Sequence, residues 1–219
     1  MPGKEIYDEH ADQYEELVSR EDYTHNLAPA LNQIRPLAGL DVVELGAGTG
    51  RLTCLIAPQV RSVLAFDVSA PMLQVAKAKL ERSGSHPWRV AVADHRELPI
   101  GDASADLVLA GWTIAQMVAW NLETWQAQVE SVLAEMRRVL RPAGALLFSE
   151  HGRAPDEGVA RWQDRLNPIW RRLSGGCNIN RAIPDVLGAA GFTLAELDSM
   201  YLPGPRLLTF TYWGMATRT

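Results

Sequence analysis

The sequence predicts an α/β fold built on a mostly parallel sheet, and three observations carry that prediction. Five short apolar runs recur between residues 41 and 150. Stretches of helical periodicity separate most of them. The first run ends in a glycine-rich turn that opens directly into a helix. Strands alternating with helices call for parallel pairing through right-handed crossovers.

Residues 5–20 place Ile6, Ala11, Tyr14, Leu17 and Val18 near helical spacing with acidic residues between them, which reads as an amphipathic helix. A second helical stretch over roughly 22–34 ends before Pro36 and Gly39. The run Asp41–Leu45 reads as a buried parallel strand. Arg51–Ala57 is helical and stops at Pro58, and Ser62–Phe66 is the second strand. Ala70–Arg82 is a helix with Pro71 near its start and Gly84 beyond its end. Trp88–Ala93 and Ala105–Ala110 are the third and fourth strands, joined by a link too short for a clear helix. Asn121–Leu140 is a long helix stopped by Arg141-Pro-Ala-Gly144. Arg137, Arg138 and Arg141 are expected in its C-terminal turn, where cations complement the helix dipole. Ala145–Glu150 is the fifth strand.

After residue 150 the rhythm changes. A polar, Trp-bearing helix over about Val159–Leu173 and a short helix over Ile183–Ala190 precede two β-runs, Thr193–Met200 and Leu207–Met215. A turn holding Pro203, Gly204 and Pro205 joins these runs, so they should form an antiparallel hairpin.

The 219 residues suit a single α/β domain. With 47% hydrophobic and 21% charged residues, the composition is that of a globular protein. The formal net charge of −5 argues against a phosphate-tracking surface, so no nucleic-acid partner is expected. Cys54 and Cys177 cannot build a disulfide framework and lie in no metal-spaced cluster, so no metal is expected. The longest uncharged run, 107–122, is too short and too polar to span a bilayer, and no charged segment with an apolar core opens the chain. A cytoplasmic monomer or homodimer is the expectation.

The strongest local signal is Glu44-Leu-Gly-Ala-Gly-Thr-Gly50. Glycine at Gly46, Gly48 and Gly50 permits a tight turn and lets backbone approach a ligand that a Cβ would block. Asp67 ends the second strand, where a carboxylate can bind two ribose hydroxyls. Asp94 ends the third, where it can accept from an adenine amino group. Taken alone, Asp67 could cap the helix at Ala70 and Asp94 could serve a local turn. Together, three consecutive strand ends describe an adenosine-shaped site. A nicotinamide dinucleotide fits less well: the third glycine comes one residue early, and Glu44 would repel a pyrophosphate.

Val42-Val-Glu-Leu-Gly-Ala-Gly-Thr-Gly50, Phe66-Asp-Val-Ser69 with Met72, and Ala93-Asp-His95 resemble the successive cofactor motifs of the class I S-adenosylmethionine-dependent methyltransferases, of the type 11-like kind. The resemblance implies a Rossmann-like three-layer sandwich, a seven-stranded mostly parallel sheet with an antiparallel C-terminal hairpin, under an N-terminal helical cover. It implies one domain over 1–219, with the cover at 1–38, the cofactor half at 39–150 and the substrate-side helices and hairpin at 151–219. The cofactor would be S-adenosyl-L-methionine, leaving S-adenosyl-L-homocysteine. Glu44 and the turn Gly46, Ala47, Gly48 and Gly50 would face its methionine part. Asp67 and Val68 would face the ribose, Met72 the adenine face, and Asp94 with His95 the adenine edge. Gly111 and Trp112 would lie beside the sulfonium, and Tyr14 on the closing first helix.

Methyl transfer needs alignment, and a base only where the accepting O, N or S must lose a proton. His151, directly after the fifth strand, is the candidate base, with a loop-bonded structural histidine as the plainer reading. Tyr7 and Tyr14 share a helical face, and Trp112, Trp120, Trp162 and Trp170 are candidate pocket walls; Trp125 reads as core. The segments Glu150-His-Gly, Trp162-Gln, Pro168-Ile-Trp170 and Gly175-Gly-Cys-Asn-Ile-Asn-Arg181 are similar to small-molecule methyltransferases, including animal thiol methyltransferases. That likeness puts Cys177, Asn178 and Arg181 near the acceptor pocket, beside Tyr7 and Trp120. A small-molecule acceptor is expected; a catalytically silent adenosylmethionine sensor and a protein methyltransferase are the alternatives.

Overall fold

The computed structural model describes residues 9–19, 25–84, 86–111, 124–173 and 178–218. Two short helices, α1 (Ala11–Val18) and α2 (Leu27–Ile34), precede strand β1 (Asp41–Leu45). There follow α3 (Arg51–Ile56), β2 (Ser62–Asp67), α4 (Ala70–Arg82), β3 (Trp88–Val92) and β4 (Ala105–Gly111). Then come α5 (Trp125–Val139), β5 (Leu140–His151), α6 (Glu157–Leu173), α7 (Ile183–Ala189), β6 (Phe192–Tyr201), the single turn α8 (Arg206–Thr209) and β7 (Phe210–Arg218).

The seven strands form one sheet in the order β3-β2-β1-β4-β5-β7-β6. β1 pairs in parallel with β2 and β4, and β7 runs antiparallel to both β5 and β6. The strand order reverses at β1, next to β4, which in open α/β sheets opens a crevice beyond the carboxyl ends. Alternating side chains of the strands fill two cores. Val43, Phe66, Val108, Leu146 and Phe148 pack against α5 and α7 through Leu133, Met136 and Leu187. On the other face Val42, Val63, Leu107 and Leu147 pack with Leu37, Ile56 and Leu80. Helices thus cover both faces, the three-layer arrangement the sequence predicts.

The structure departs from the expected boundaries where local geometry decides. His25 has φ of +55°, and α2 starts only after it. Arg141 is not in a helical turn. Pro142 holds the residue before it extended, and Leu140 already pairs with Ala105, so β5 begins there with an irregularity before Ala145. Residues 207–209 belong to a helical turn: the Leu208 amide and Thr209 hydroxyl both donate to the Pro205 carbonyl, at 2.9 and 3.2 Å. The hairpin strand therefore starts at Phe210.

Arg141 has a different task. At the amino edge of the sheet, Arg61 grips Asp41 with Nε and Nη2 at 2.9 and 2.5 Å. Arg141 bridges Asp106 at 2.6 Å and Asp41 at 3.1 Å. Arg61 and Arg141 hold the Asp41 carboxyl far below the usual carboxylate range.

α6 closes the substrate-side half through polar residues. Gln163, fully buried, accepts from the Ala154 amide and donates to the carbonyls of Gly152 and Leu207. Asn167 donates to Asn178 at 2.9 Å and accepts from the Ile179 amide at 3.0 Å. Buried backbone groups need such partners, and these two side chains supply them.

Candidate active site

Three strand ends meet at the carboxyl edge of the sheet. After β1, Gly46, Gly48 and Gly50 take φ of +69°, +53° and +77°, a region open to glycine at little cost. The Phe66 carbonyl pins the turn, accepting from the Gly46 and Ala47 amides at 2.8 and 3.0 Å. At Gly50 an added Cβ would stand 2.8 Å from that of Ala76 on α4, so glycine there also permits the helices to pack. Among the described residues only Tyr14 comes near a Cβ added at Gly48, at 3.9 Å, and the Gly48 backbone borders the cleft.

Asp67 accepts from the Gly48 amide through Oδ2 and from the Ser69 amide through Oδ1, both at 2.8 Å. Each oxygen keeps capacity to accept again. Ser69, not Asp67, caps α4 by accepting from the Met72 amide.

Glu44 is 3% exposed, and its Oε2 accepts from the Thr53 hydroxyl at 2.6 Å. Burial raises its carboxyl to about 7 against that hydrogen bond, and the nearby Asp67 charge adds to the rise. Near neutrality the group is poised between charged and neutral forms.

Asp94 is already paired. Arg96 donates Nε to Oδ1 at 2.8 Å and its amide to the same oxygen at 2.9 Å, while Nη2 closes on Oδ2. This pairing holds Asp94 down to about 2, and Arg96 also reaches Gln128 on α5. His95 is buried beside it, with the Phe66 carbonyl near its ring. Burial lowers its pKa against the raising charges of Asp67 and Asp94.

These groups line one cleft of about 400 Å³. Tyr14, Glu44, Gly46, Ala47, Gly48 and Asp67 border it, as do Val68, Asp94, His95 and Gly111. Gly50 and Met72 do not; Met72 is wholly buried on the inner side of α4. Further lining residues were not singled out from the sequence: Leu27, Ala30, Leu31 and Ile34 of α2, Arg51, Arg96, Ser149 and Trp213. The second helix reads only as a helical stretch, and Trp213 only within a tail, Pro203-Gly-Pro205 to Tyr212-Trp-Gly214, similar to small-molecule methyltransferases; neither signal says that they share a wall.

His151, Asn178 and Arg181 are brought together, but elsewhere. They line a separate cavity of about 30 Å³ on the α5–α7 side, which shares only Ala110 and Phe148 with the cleft. The Thr211 hydroxyl lies 3.1 Å from His151 Nδ1 and can donate to the Thr209 carbonyl at 3.3 Å. Burial lowers the His151 pKa. Arg181 stacks 4.1 Å over the Trp125 ring, which itself packs on the core as expected. Trp162 is 54% exposed on the outer side of α6 and borders neither space. Tyr7, Trp112, Trp120 and Cys177 lie outside the described residues.

The cleft suits a nucleoside with a cationic amino-acid arm. Asp67 can accept from vicinal hydroxyls, His95 lines the cleft with a buried imidazole, the Gly48 backbone leaves room for close approach, and Glu44 becomes an anion when a cation calls for one. The comparisons agree. A family model described as a methyltransferase domain matches residues 43–148. Malonyl-[acyl-carrier protein] O-methyltransferase of Methylococcus capsulatus is 30% identical over 168 residues, covering 74% of this chain and 54% of that protein. Human thiol S-methyltransferase TMT1B is 28% identical over 190 residues, covering 81% of this chain and 74% of that protein. By these matches the chain resembles the class I S-adenosylmethionine-dependent methyltransferases, most fully over its cofactor half. A solved methyltransferase of this kind from Methanosarcina mazei shares the fold with a TM-score of 0.68 at 15% identity, covering 87% of this chain and 97% of that one. The chain spans about half the length of the first curated relatives it matches.

Proposed function

We propose that this methyltransferase binds S-adenosylmethionine in the cleft and methylates a small-molecule acceptor. The observation that carries the reading is the convergence of Glu44, Asp67 and His95 on a glycine turn at the switch between β1 and β4. When bound, S-adenosylmethionine supplies a methyl carbon whose bond to sulfur breaks, leaving the electron pair on sulfur, as the acceptor's lone pair bonds to that carbon. The protein's own residues orient and shield. Asp67 accepts from the ribose hydroxyls, Glu44 balances the amino-acid arm, and His95 meets the base edge. Asp94 contributes mainly by fixing Arg96, since its charge is already matched.

The thiol S-methyltransferase relative aligns over most of the chain, which favours a soft acceptor over a protein side chain. His151, set behind Phe148, acts on an acceptor proton only if the acceptor or a water reaches past that ring. A catalytically silent sensor would share the donor site. Incubating the protein with methyl-labelled S-adenosylmethionine and a panel of thiols, phenols and amines tests the proposal. Label in a small product supports it; donor binding with no transfer to any acceptor would favour the sensor.

A further inference from the structure

Charge is segregated across the cleft. Among the described residues, every charged side chain that lines it follows from β1, β2 or β3: Glu44 on β1, Arg51 at the start of α3, Asp67 at the end of β2, and Asp94 and Arg96 just after β3. The half beyond β1 is built differently. β4, β5 and β7 offer Leu109, Leu147, Phe148 and Trp213, and among the described residues Ser149 supplies the only side-chain hydroxyl on that side. α2 faces them with Leu27, Ala30, Leu31 and Ile34. Neighbouring strands stand about 4.8 Å apart, so Trp213, three strands from β1, lies roughly 14 Å along the sheet from the strand that ends in the glycine turn. A donor held by the β1–β3 carboxylates thus leaves this apolar half to the acceptor.

We infer that the acceptor is a molecule with an apolar, uncharged body, lying between Trp213 and the α2 face of Leu27, Ala30, Leu31 and Ile34. The inference rests on the donor reading of the β1–β3 half. An ionised group in the apolar half would lose hydration without gaining an opposite charge, whereas an alkyl or aryl body removes apolar surface from water on both sides. Trp213 is the residue that sets this preference, because a large aromatic surface forms the floor opposite α2.

Two probes with one nucleophile and one chain length isolate the effect: hexanethiol and 6-mercaptohexanoate. Each is titrated calorimetrically into the protein loaded with S-adenosylhomocysteine. Hexanethiol is expected to bind at least tenfold more tightly. Trp213→Ala should weaken hexanethiol binding at least fivefold while leaving S-adenosylhomocysteine affinity unchanged. Ala30→Lys, at an exposed helix position that leaves the fold undisturbed, should narrow the gap between the two thiols at least fivefold. Equal or tighter binding of the carboxylate, or no binding of either thiol to the loaded protein, overturns the inference while the donor site stands. Failure of S-adenosylhomocysteine itself to bind overturns both.

Discussion

Strand β1 carries a carboxylate near each end, and the two are opposites. Asp41, at the amino edge, is clamped by Arg61 and Arg141 and held ionised. Glu44, three residues on, accepts from the Thr53 hydroxyl with Arg51 attracting it through space, and burial still pushes it up to about 7. One edge meets its charges with partners inside the protein. The other keeps a carboxylate buried with a raised pKa at the edge of a cleft, the pattern of a functional site.

The two edges should therefore respond to pH with opposite signs. A carboxyl depressed in the folded state, as at Asp41, contributes stability present above its unfolded value and lost as pH falls through the folded one. Glu44 is raised, so the folded protein keeps its proton after the unfolded chain has released it. Its stabilising contribution is complete below the unfolded value of 4.5 and falls away as pH rises to about 7. One pKa unit is worth about 1.4 kcal/mol, so ionising Glu44 costs the empty protein on the order of 3 kcal/mol.

The largest expected effect follows from that cost. Glu44→Gln keeps an acceptor for Thr53 and removes the ionisation, so at about pH 8 the unliganded variant should be up to about 3 kcal/mol more stable than the parent. Denaturant unfolding at about pH 8 and pH 5 checks this; a gain that is the same at both would break the comparison. The next effect is on the donor. A cation beside Glu44 requires it charged, so the parent's affinity for S-adenosylmethionine should fall up to about tenfold per pH unit below about 7. Binding titrations across pH should show that slope in the parent and a much shallower one in Glu44→Gln. The smallest belongs to the amino edge. Arg141→Ala removes one arm of a partly exposed cluster and should cost about 1 kcal/mol of stability, leaving donor affinity unchanged. A change in donor affinity would mean the two edges are not independent.

The sequence made the donor half of the cleft legible because its parts are local. A glycine turn and the acidic residues Asp67 and Asp94 sit at strand ends, and strand ends can be read from apolar runs. What escaped reading depends on packing between distant segments. That Arg96 folds back onto Asp94, that α2 roofs the cleft, and that Trp213 of the last strand forms its floor are consequences of the strand order, which places β7 beside β5. The His151, Asn178 and Arg181 cluster shows the same limit from the other side. Their place near a pocket was implied by the resemblance to small-molecule methyltransferases, but the space they share lies on the α5–α7 side, with Phe148 between it and the cleft.

The most direct test of the account is calorimetric titration of S-adenosylmethionine into the parent and into Asp67→Ala. The account predicts one site per chain in the parent and affinity weakened about 100-fold in the variant, the scale expected for losing hydrogen bonds to a charged acceptor. Equal affinity in the two proteins, or no binding by the parent at saturating concentration, would contradict it.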